Sequence, residues 1–173
     1  MYSIPSPERC VKILKENGCS KAVIDHCIAV RDVAVKIAEK SDADIKLVEA
    51  GALLHDIGRS KTHGIFHAVE GARIAKKLGL PKRIVKIIER HIGAGLSKEE
   101  AKKLGLPAKD YIPETLEEKI VCHADSLIDD HGRQNIEKEV ERALMDGHKG
   151  YAIRLVSLHN ELSKICGIDI NLI

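Results

Sequence analysis

Aromatic residues are almost missing from this chain: Tyr2, Phe66, Tyr111 and Tyr151 are all it carries in 173 residues, and there is no tryptophan. A core without rings has to be assembled from Ile, Leu, Val and Ala. That favours packed helices over a β-sandwich, whose interior is rich in aromatic and β-branched side chains. The same shortage counts against a single-strand nucleic-acid binder, which stacks bases on aromatic platforms. No apolar run approaches 18 residues, so no segment reads as a membrane-spanning helix, and none reads as a signal peptide. An excess of one charge is lacking too. The 28 Lys and Arg nearly balance 26 Asp and Glu, and a net charge of +2 gives no general affinity for nucleic acid or acidic membranes. The five cysteines, Cys10, Cys19, Cys27, Cys122 and Cys166, are odd in number and never form a C-x-x-C pair. They read as reduced thiols of a cytoplasmic protein, with Cys27 and Cys122 filling apolar helix faces.

What the chain does have is helical periodicity, clearly punctuated. Its length suits one domain. Ser6 and Pro7 open a first helix that stops near Gly18. A second is expected from about Ser20 to Lys40, a third from Asp44 to Gly58, a fourth from His67 to Gly79, and a fifth from Pro81 to about Gly93. Ser97 with Glu100, and Thr115 with Glu118, match the capping-box pattern and start two more helices. Gly105 to Pro113, with two prolines, reads as an ordered loop. Two last helices, about 135–146 and 151–166, close the chain. No alternating strand pattern competes. The expectation is an all-α bundle: an N-terminal helix in 1–19, a core in 20–130, and C-terminal helices in 131–173 packed on the same domain.

Several of these helices place an imidazole or a carboxylate on the apolar side. His26, Val30, Val33 and Ile37 are spaced four, three and four along the second helix. Val48, Ala52 and His55 share a face of the third, with Asp56 next in sequence. Ile84, Ile87 and His91 line up in the fifth, and Val121, Asp125 and Ile128 in the seventh. His67, Gly71, Ile74 and Leu78 form a stripe whose glycine permits a close helix crossing. Buried ionised carboxylates need cations, yet no Lys or Arg lies on those faces. A divalent ion held jointly by imidazole nitrogens and carboxylate oxygens meets the need, and such a mixed donor set suits Mn, Fe, Co, Ni or Zn. Not every inward histidine is a ligand: His159, on a stripe with Ala152, Leu155 and Leu162, reads as a satisfied core histidine. His123 reads as a packed residue, and Asp129 as an exposed helix carboxylate one turn beyond Asp125. Lys82, Arg83, Lys86 and Arg90 read as a solvated helix face, the sharper alternative being a positive rim for a phosphorylated ligand.

At this point the sequence resembles the HD-domain superfamily of metal-dependent phosphohydrolases. The motifs are D-H-C-I-A-V around His26, L-L-H-D-I-G-R around His55 and Asp56, and C-H-A-D-S-L around Asp125, in the order H…HD…D and in the H-D-I-G form. The resemblance covers roughly residues 20 to 130 and implies His26, His55, Asp56 and Asp125 as metal ligands. Members with two ions have further histidines, and here His67 in H-A-V-E-G-A and His91 in E-R-H-I-G look like those, with His63 in K-T-H-G the competitor to His67. One or two ions are therefore implied, with Asp56 the natural bridge between two. The reaction implied is hydrolysis of a phosphate ester or anhydride of a small phosphorylated substrate, a nucleotide first among them. The metal acidifies water and polarises the phosphoryl group, while Arg59 and His63 bind the substrate and offset its charge. Arg59 reads equally well as a helix-end cation. Residues 93–113 are expected to shape substrate choice. The alternative is a non-catalytic nucleotide-binding regulatory HD module, which the intact ligand set argues against. A helical RNA binder rests only on the basic run 82–90. A homo-oligomer is compatible with all of this.

Overall fold

The computed structural model describes residues 3–173, so Tyr2 lies outside it. Its helices are α1 (Pro7–Glu16), α2 (Lys21–Ala38), α3 (Ile45–Leu54), α4 (His67–Lys77), α5 (Lys82–Glu89), α6 (Lys98–Lys103), α7 (Leu116–Ser126), α8 (Ile136–Met145) and α9 (Lys149–Cys166). Two 3-10 turns, Ile57–Ser60 and Ile170–Leu172, follow α3 and α9. A hairpin of two-residue strands, β1 (Ile128–Asp129) and β2 (Gly132–Arg133), pairs Ile128 with Arg133 and Asp129 with Gly132. The architecture is the expected all-α single domain.

Five of the described helices begin where small polar side chains satisfy their free N–H groups. Ser6, Ser20, Asp44, Ser97 and Thr115 each accept from the N–H three residues on, a device worth about 1 kcal/mol apiece. Ser97 and Glu100 form the reciprocal box. The Thr115 box is only half made, because Glu118 turns to Arg90 at 2.9 Å and to the N–H of Glu114 at 2.8 Å. A guanidinium is the stronger partner for a buried carboxylate.

Helix α2 runs through the middle, packed on α3 and α7, while α3 also meets α1 and α5. The core between them is aliphatic, with Leu14, Ile37, Leu53, Leu54, Ile84, Ile88 and Ile120 fully buried, and Leu155, Leu158 and Leu162 of α9 close it. Tyr111 instead anchors a small separate cluster with Ala101 and Leu106. All five cysteines are free, and Cys27 and Cys122 are buried as filler. No helix among the described residues is long and apolar enough to cross a membrane.

Four expectations are corrected. Helix α3 ends at Leu54 rather than Gly58, the chain tightening into the 3-10 turn beyond His55 and Asp56. Helix α5 ends at Glu89, so His91 lies past its end, not on its face. Helix α7 ends at Ser126, and Asp129 sits in β1, where it binds Lys138 at 2.6 Å and accepts from the His131 N–H. The basic run is neither a rim nor a wholly solvated face. Arg90 is buried against Glu114 and Glu118, and Arg83 pairs with Asp44 and Glu117, which leaves Lys82 alone of the four fully solvent-facing and unpaired among the described residues.

Candidate metal centre

Five segments deliver six side chains to one point. His26 comes from α2, His55 and Asp56 from the end of α3, His67 from the first position of α4, His91 from just beyond α5, and Asp125 from the last turn of α7. Two glycines make the convergence geometrically possible. A Cβ on Gly58 would lie 1.8 Å from the His67 carbonyl oxygen and 2.6 Å from the Gly71 nitrogen. Only a hydrogen there lets the 3-10 turn after Asp56 press against the start of α4. A Cβ on Gly71 would lie 2.8 Å from the Ile88 side chain, so this glycine lets α4 approach α5, as its place in the stripe suggested.

Three of the histidines are aimed by one local device. Nδ1 of His55 donates to the carbonyl of Ala52 at 2.7 Å, Nδ1 of His67 to that of Gly64 at 2.8 Å, and Nδ1 of His91 to that of Ile88 at 2.7 Å. Each acceptor lies three residues back, at a turn or helix end where carbonyls are free. With Nδ1–H engaged, Nε2 presents its lone pair inward, the arrangement that orients histidine ligands.

Those inward atoms crowd together. Nε2 of His26 is 2.9 Å from Asp125 Oδ1, and Nε2 of His55 is 3.4 Å from the same oxygen. Asp56 Oδ2 lies 3.8 Å from His26 Nε2 and 3.6 Å from His55 Nε2. Its other oxygen, Oδ1, faces the opposite way, 3.1 Å from His67 Nε2 and 3.4 Å from His91 Nε2. The two imidazole nitrogens of His67 and His91 are themselves 2.9 Å apart. Asp56 thus stands between two sets of donors, one on each carboxylate oxygen.

The chemistry of this arrangement fits divalent cations. Two Nε2 lone pairs at 2.9 Å repel unless a proton or an ion lies between them. His55 Nε2 and Asp56 Oδ1 are buried with no hydrogen-bond partner, which is costly for isolated polar atoms. Ligands about 2.1 Å from an ion at octahedral or tetrahedral angles are roughly 3.0–3.4 Å from one another, close to the spacings seen here. Two overlapping groups satisfy the distance requirement for an ion: His26, His55 and Asp125, and His55, Asp56 and His91.

Electrostatics agree. Burial opposes ionisation of Asp56, but His55 above all, with His67 and His91, holds its carboxyl well below the usual range. Burial likewise works against Asp125, and His55 and His26 overcome it to lower that carboxyl. Burial alone would depress His55; the Asp56 and Asp125 charges outweigh it and raise the imidazole well above its ordinary value. His91 goes the other way, lowered by burial and by the neighbouring imidazoles. One acidic pair therefore draws positive charge into a buried place.

Arg59 supplies part of that charge, correcting the expectation that no cation faces the aspartates. Its Nε donates to Asp56 Oδ2 at 2.7 Å and Nη1 to the His63 carbonyl at 3.1 Å. Arg59 also lines a cavity beside the cluster. His63 is exposed on the wall of this cavity, whereas His67 lies among the clustered nitrogens. The cavity, about 610 Å³, runs from the start of α2 past His26, Asp56, Arg59 and His63 to the hairpin. A smaller chamber of about 240 Å³ adjoins it and shares His26, Arg59, Ile128, Asp129 and Asp130. Of segment 93–113, only Gly93 lines this chamber; Leu96, Ala101 and Leu106 pack with Tyr111. Glu139, Arg142 and Tyr151, from α8 and α9, complete the wall, and nothing in the sequence pattern pointed to them. His123 and His159 stay in the core, hydrogen-bonded to each other at 2.9 Å, with Asp169 on the far side of His159 at 2.9 Å.

The family model described as HD domain matches residues 23–130. The chain belongs to the HD-domain family. Among curated proteins it is 48% identical over 168 residues to a tRNA (cytidine(56)-2'-O)-methyltransferase of Picrophilus torridus, a match covering 97% of this chain and 49% of that protein. It is 47% identical over 166 residues to an uncharacterized protein of Methanocaldococcus jannaschii, covering 91% of this chain and 97% of the other. The chain thus spans about half the length of the methyltransferases it matches and nearly all of the shorter relative. Among solved structures it resembles the HD domain of the L. monocytogenes phosphodiesterase PgpH in complex with cyclic-di-AMP, with a TM-score of 0.57, 20% identity, and coverage of 91% of this chain and 96% of that one. That likeness establishes the HD fold.

Proposed function

We propose that this HD domain is a divalent-metal phosphohydrolase acting on a phosphate ester or anhydride of a small substrate, a nucleotide or related metabolite. The observation that carries the reading is the position of Asp56 between two sets of inward imidazoles, with one oxygen toward each. His26, His55, Asp56 and Asp125 hold one ion in this assignment; Asp56, His67 and His91 hold a second. Bound there, the ions supply Lewis acidity toward a phosphoryl group and acidify water to near-neutral pH.

The chain's own groups do the rest. Arg59, fixed by Asp56, turns its free N–H donors toward phosphoryl oxygens and balances their charge. His63, on the exposed wall, hands a proton to the departing oxygen. Nδ1–H bonds to backbone carbonyls keep His55, His67 and His91 in one tautomer, so their lone pairs stay directed inward without reorganisation. The test is phosphate release from a nucleotide panel by protein loaded with Mn, Fe, Co or Ni. Asp56→Ala is expected to lose metal retention and turnover together, and turnover surviving in a metal-free Asp56→Ala protein refutes the assignment. Tight nucleotide binding with no release under any metal supports the regulatory alternative instead.

A second reading is favoured by the methyltransferase relatives, in which a region equivalent to this chain makes up half of the polypeptide. On that reading the domain acts beside tRNA modification. We assign methyl transfer itself to the other half, because the described residues here form helices and one minimal hairpin rather than the parallel sheet on which cofactor-binding α/β folds are built. Salt-dependent binding of tRNA to the isolated chain supports this reading, and no binding at low salt removes it.

A further inference from the structure

The small chamber beside the metal cluster has a wall that the HD core does not provide. Its far side is built by α8 and α9, which lie outside the matched region 23–130. Glu139 of α8 is 7% exposed and collects three donors: the Tyr151 hydroxyl at 2.9 Å, the Gln134 side-chain amide at 3.3 Å, and the guanidinium of Arg142. The Tyr151 hydroxyl is itself pushed up in pKa, first by burial and then by Glu139, so it remains a donor. Arg142 is more than half exposed, and its side chain lines the chamber together with His26, Asp125 and Arg59.

A buried carboxylate held by three donors is an expensive support for a surface arginine. Exposed ion pairs need no such scaffold and contribute little to stability. What the scaffold accomplishes is to fix the guanidinium through Nη2 at the wall of the chamber. Of the carboxylates on its wall, Asp125 faces His26, Asp129 is bound to Lys138 and Glu139 holds Arg142, while Asp130 has no ion pair among the described residues. The volume, about 240 Å³, equals about eight waters' share of liquid, which is room for a phosphate and its linkage.

We propose that Arg142 is a substrate-binding residue, taking a second, non-scissile phosphate of a small bis-phosphorylated substrate whose scissile phosphoryl group lies at the metal cluster. Tyr151 is a positioning residue that acts through Glu139. The proposal rests on the phosphohydrolase reading for which phosphate is cleaved, and on the chamber alone for which phosphate is held. It makes α8 and α9 the specificity-determining part of the molecule.

The experiment uses the full chain loaded with Mn, with adenosine 5'-monophosphate and adenosine 3',5'-bisphosphate as probes. Affinity by calorimetry and kcat/KM by phosphate release are measured for each. The wild type is expected to favour the bisphosphate. Arg142→Met should cost the bisphosphate about ten- to a hundredfold more than the monophosphate in affinity and KM, with bound metal unchanged. Arg142→Lys should recover part of the preference, and Tyr151→Phe should erode it with no loss of metal. A wild type that binds both probes alike, or an Arg142→Met protein that keeps the preference, overturns the proposal. A binding preference without hydrolysis leaves it standing and defeats the phosphohydrolase reading; hydrolysis without the preference does the reverse, and neither defeats both.

Discussion

Removing the metal should lower thermal stability by an amount that reports how many ions the cluster holds. In the metal-free protein Asp56, 2% exposed, and His55, fully buried, keep atoms with no hydrogen-bond partner, and two imidazole nitrogens stand 2.9 Å apart. The native state alone assembles these groups, so a bound ion stabilises it by mass action. At a free metal concentration a hundredfold above Kd the gain is about 2.7 kcal/mol per ion. A domain of this size moves by roughly 2–4 °C per kcal/mol. One ion then raises Tm by roughly 5–11 °C and two by about twice that. Each further tenfold of metal adds about 1.4 kcal/mol per ion, so the slope of Tm against log metal counts ions independently of Kd. The assay is a melting series in Mn, run on chelator-stripped protein and on Asp56→Asn. The variant keeps the shape and loses the charge both ions share, and its response should fall to near zero. A wild-type Tm indifferent to metal, or an Asp56→Asn protein that responds like the wild type, would falsify the assignment of this cluster as a metal centre.

Other consequences are separable. His67→Ala should lower the metal content of the purified protein by one ion per chain and His63→Ala should not, as counted by elemental analysis; equal losses contradict the geometry that sets His63 on the cavity wall. Metal affinity should rise with pH and go on rising well above pH 6.5. The reason is that His55 is raised in the ion-free protein, so its proton must be displaced by the metal across the neutral range, costing about tenfold in affinity per unit as pH falls. Calorimetric Kd values that level off at about pH 6.5 contradict that sign. Gly58→Ala should destabilise by about 1–3 kcal/mol, as overpacking does, and should weaken binding at the His67 and His91 side more than at the His26 side. Denaturant melts with metal counts check both, and unchanged stability means the 1.8 Å approach to the His67 carbonyl is relieved elsewhere.

The helices were legible because their signals are local. Caps at Ser6, Ser20, Asp44 and Ser97 sit where small polar residues precede apolar periodicity, and each is made. The errors fall where a long-range partner outbid a local pattern. Glu118 has a capping-box position, yet it serves Arg90, 28 residues away in sequence. The basic run of α5 looks amphipathic in one dimension, but Arg90 turns inward because Glu114 and Glu118 of a later segment meet it there. The hairpin at Ile128–Arg133 leaves no alternation to detect in strands of two residues. The sequence places Asp129 on the helix because nothing local marks the end of α7; the positive-φ glycine, Gly132, comes later, in β2.

The candidate metal cluster is legible for a different reason. An imidazole or a carboxylate on an apolar stripe has a burial cost that only a partner can meet, and six such groups from five segments converge on one point, where His55 Nε2 and Asp56 Oδ1 have no hydrogen-bond partner. Geometry then discriminates where periodicity could not. His159 and His26 look alike in sequence, but His159 uses both ring nitrogens, on His123 and Asp169, whereas His26 sets Nε2 against Asp125, and His55, His67 and His91 spend Nδ1 on a carbonyl three residues back and leave Nε2 facing the cluster. That spacing to an available carbonyl at a helix end is the signal a sequence reader can use for His55 and His91. Arg142 had no such signal, since an exposed arginine on an amphipathic helix is ordinary until the carboxylate holding it is seen to be buried. The division follows from physics: ligands must be buried and so disturb the apolar pattern, while a residue that meets substrate in solvent disturbs nothing.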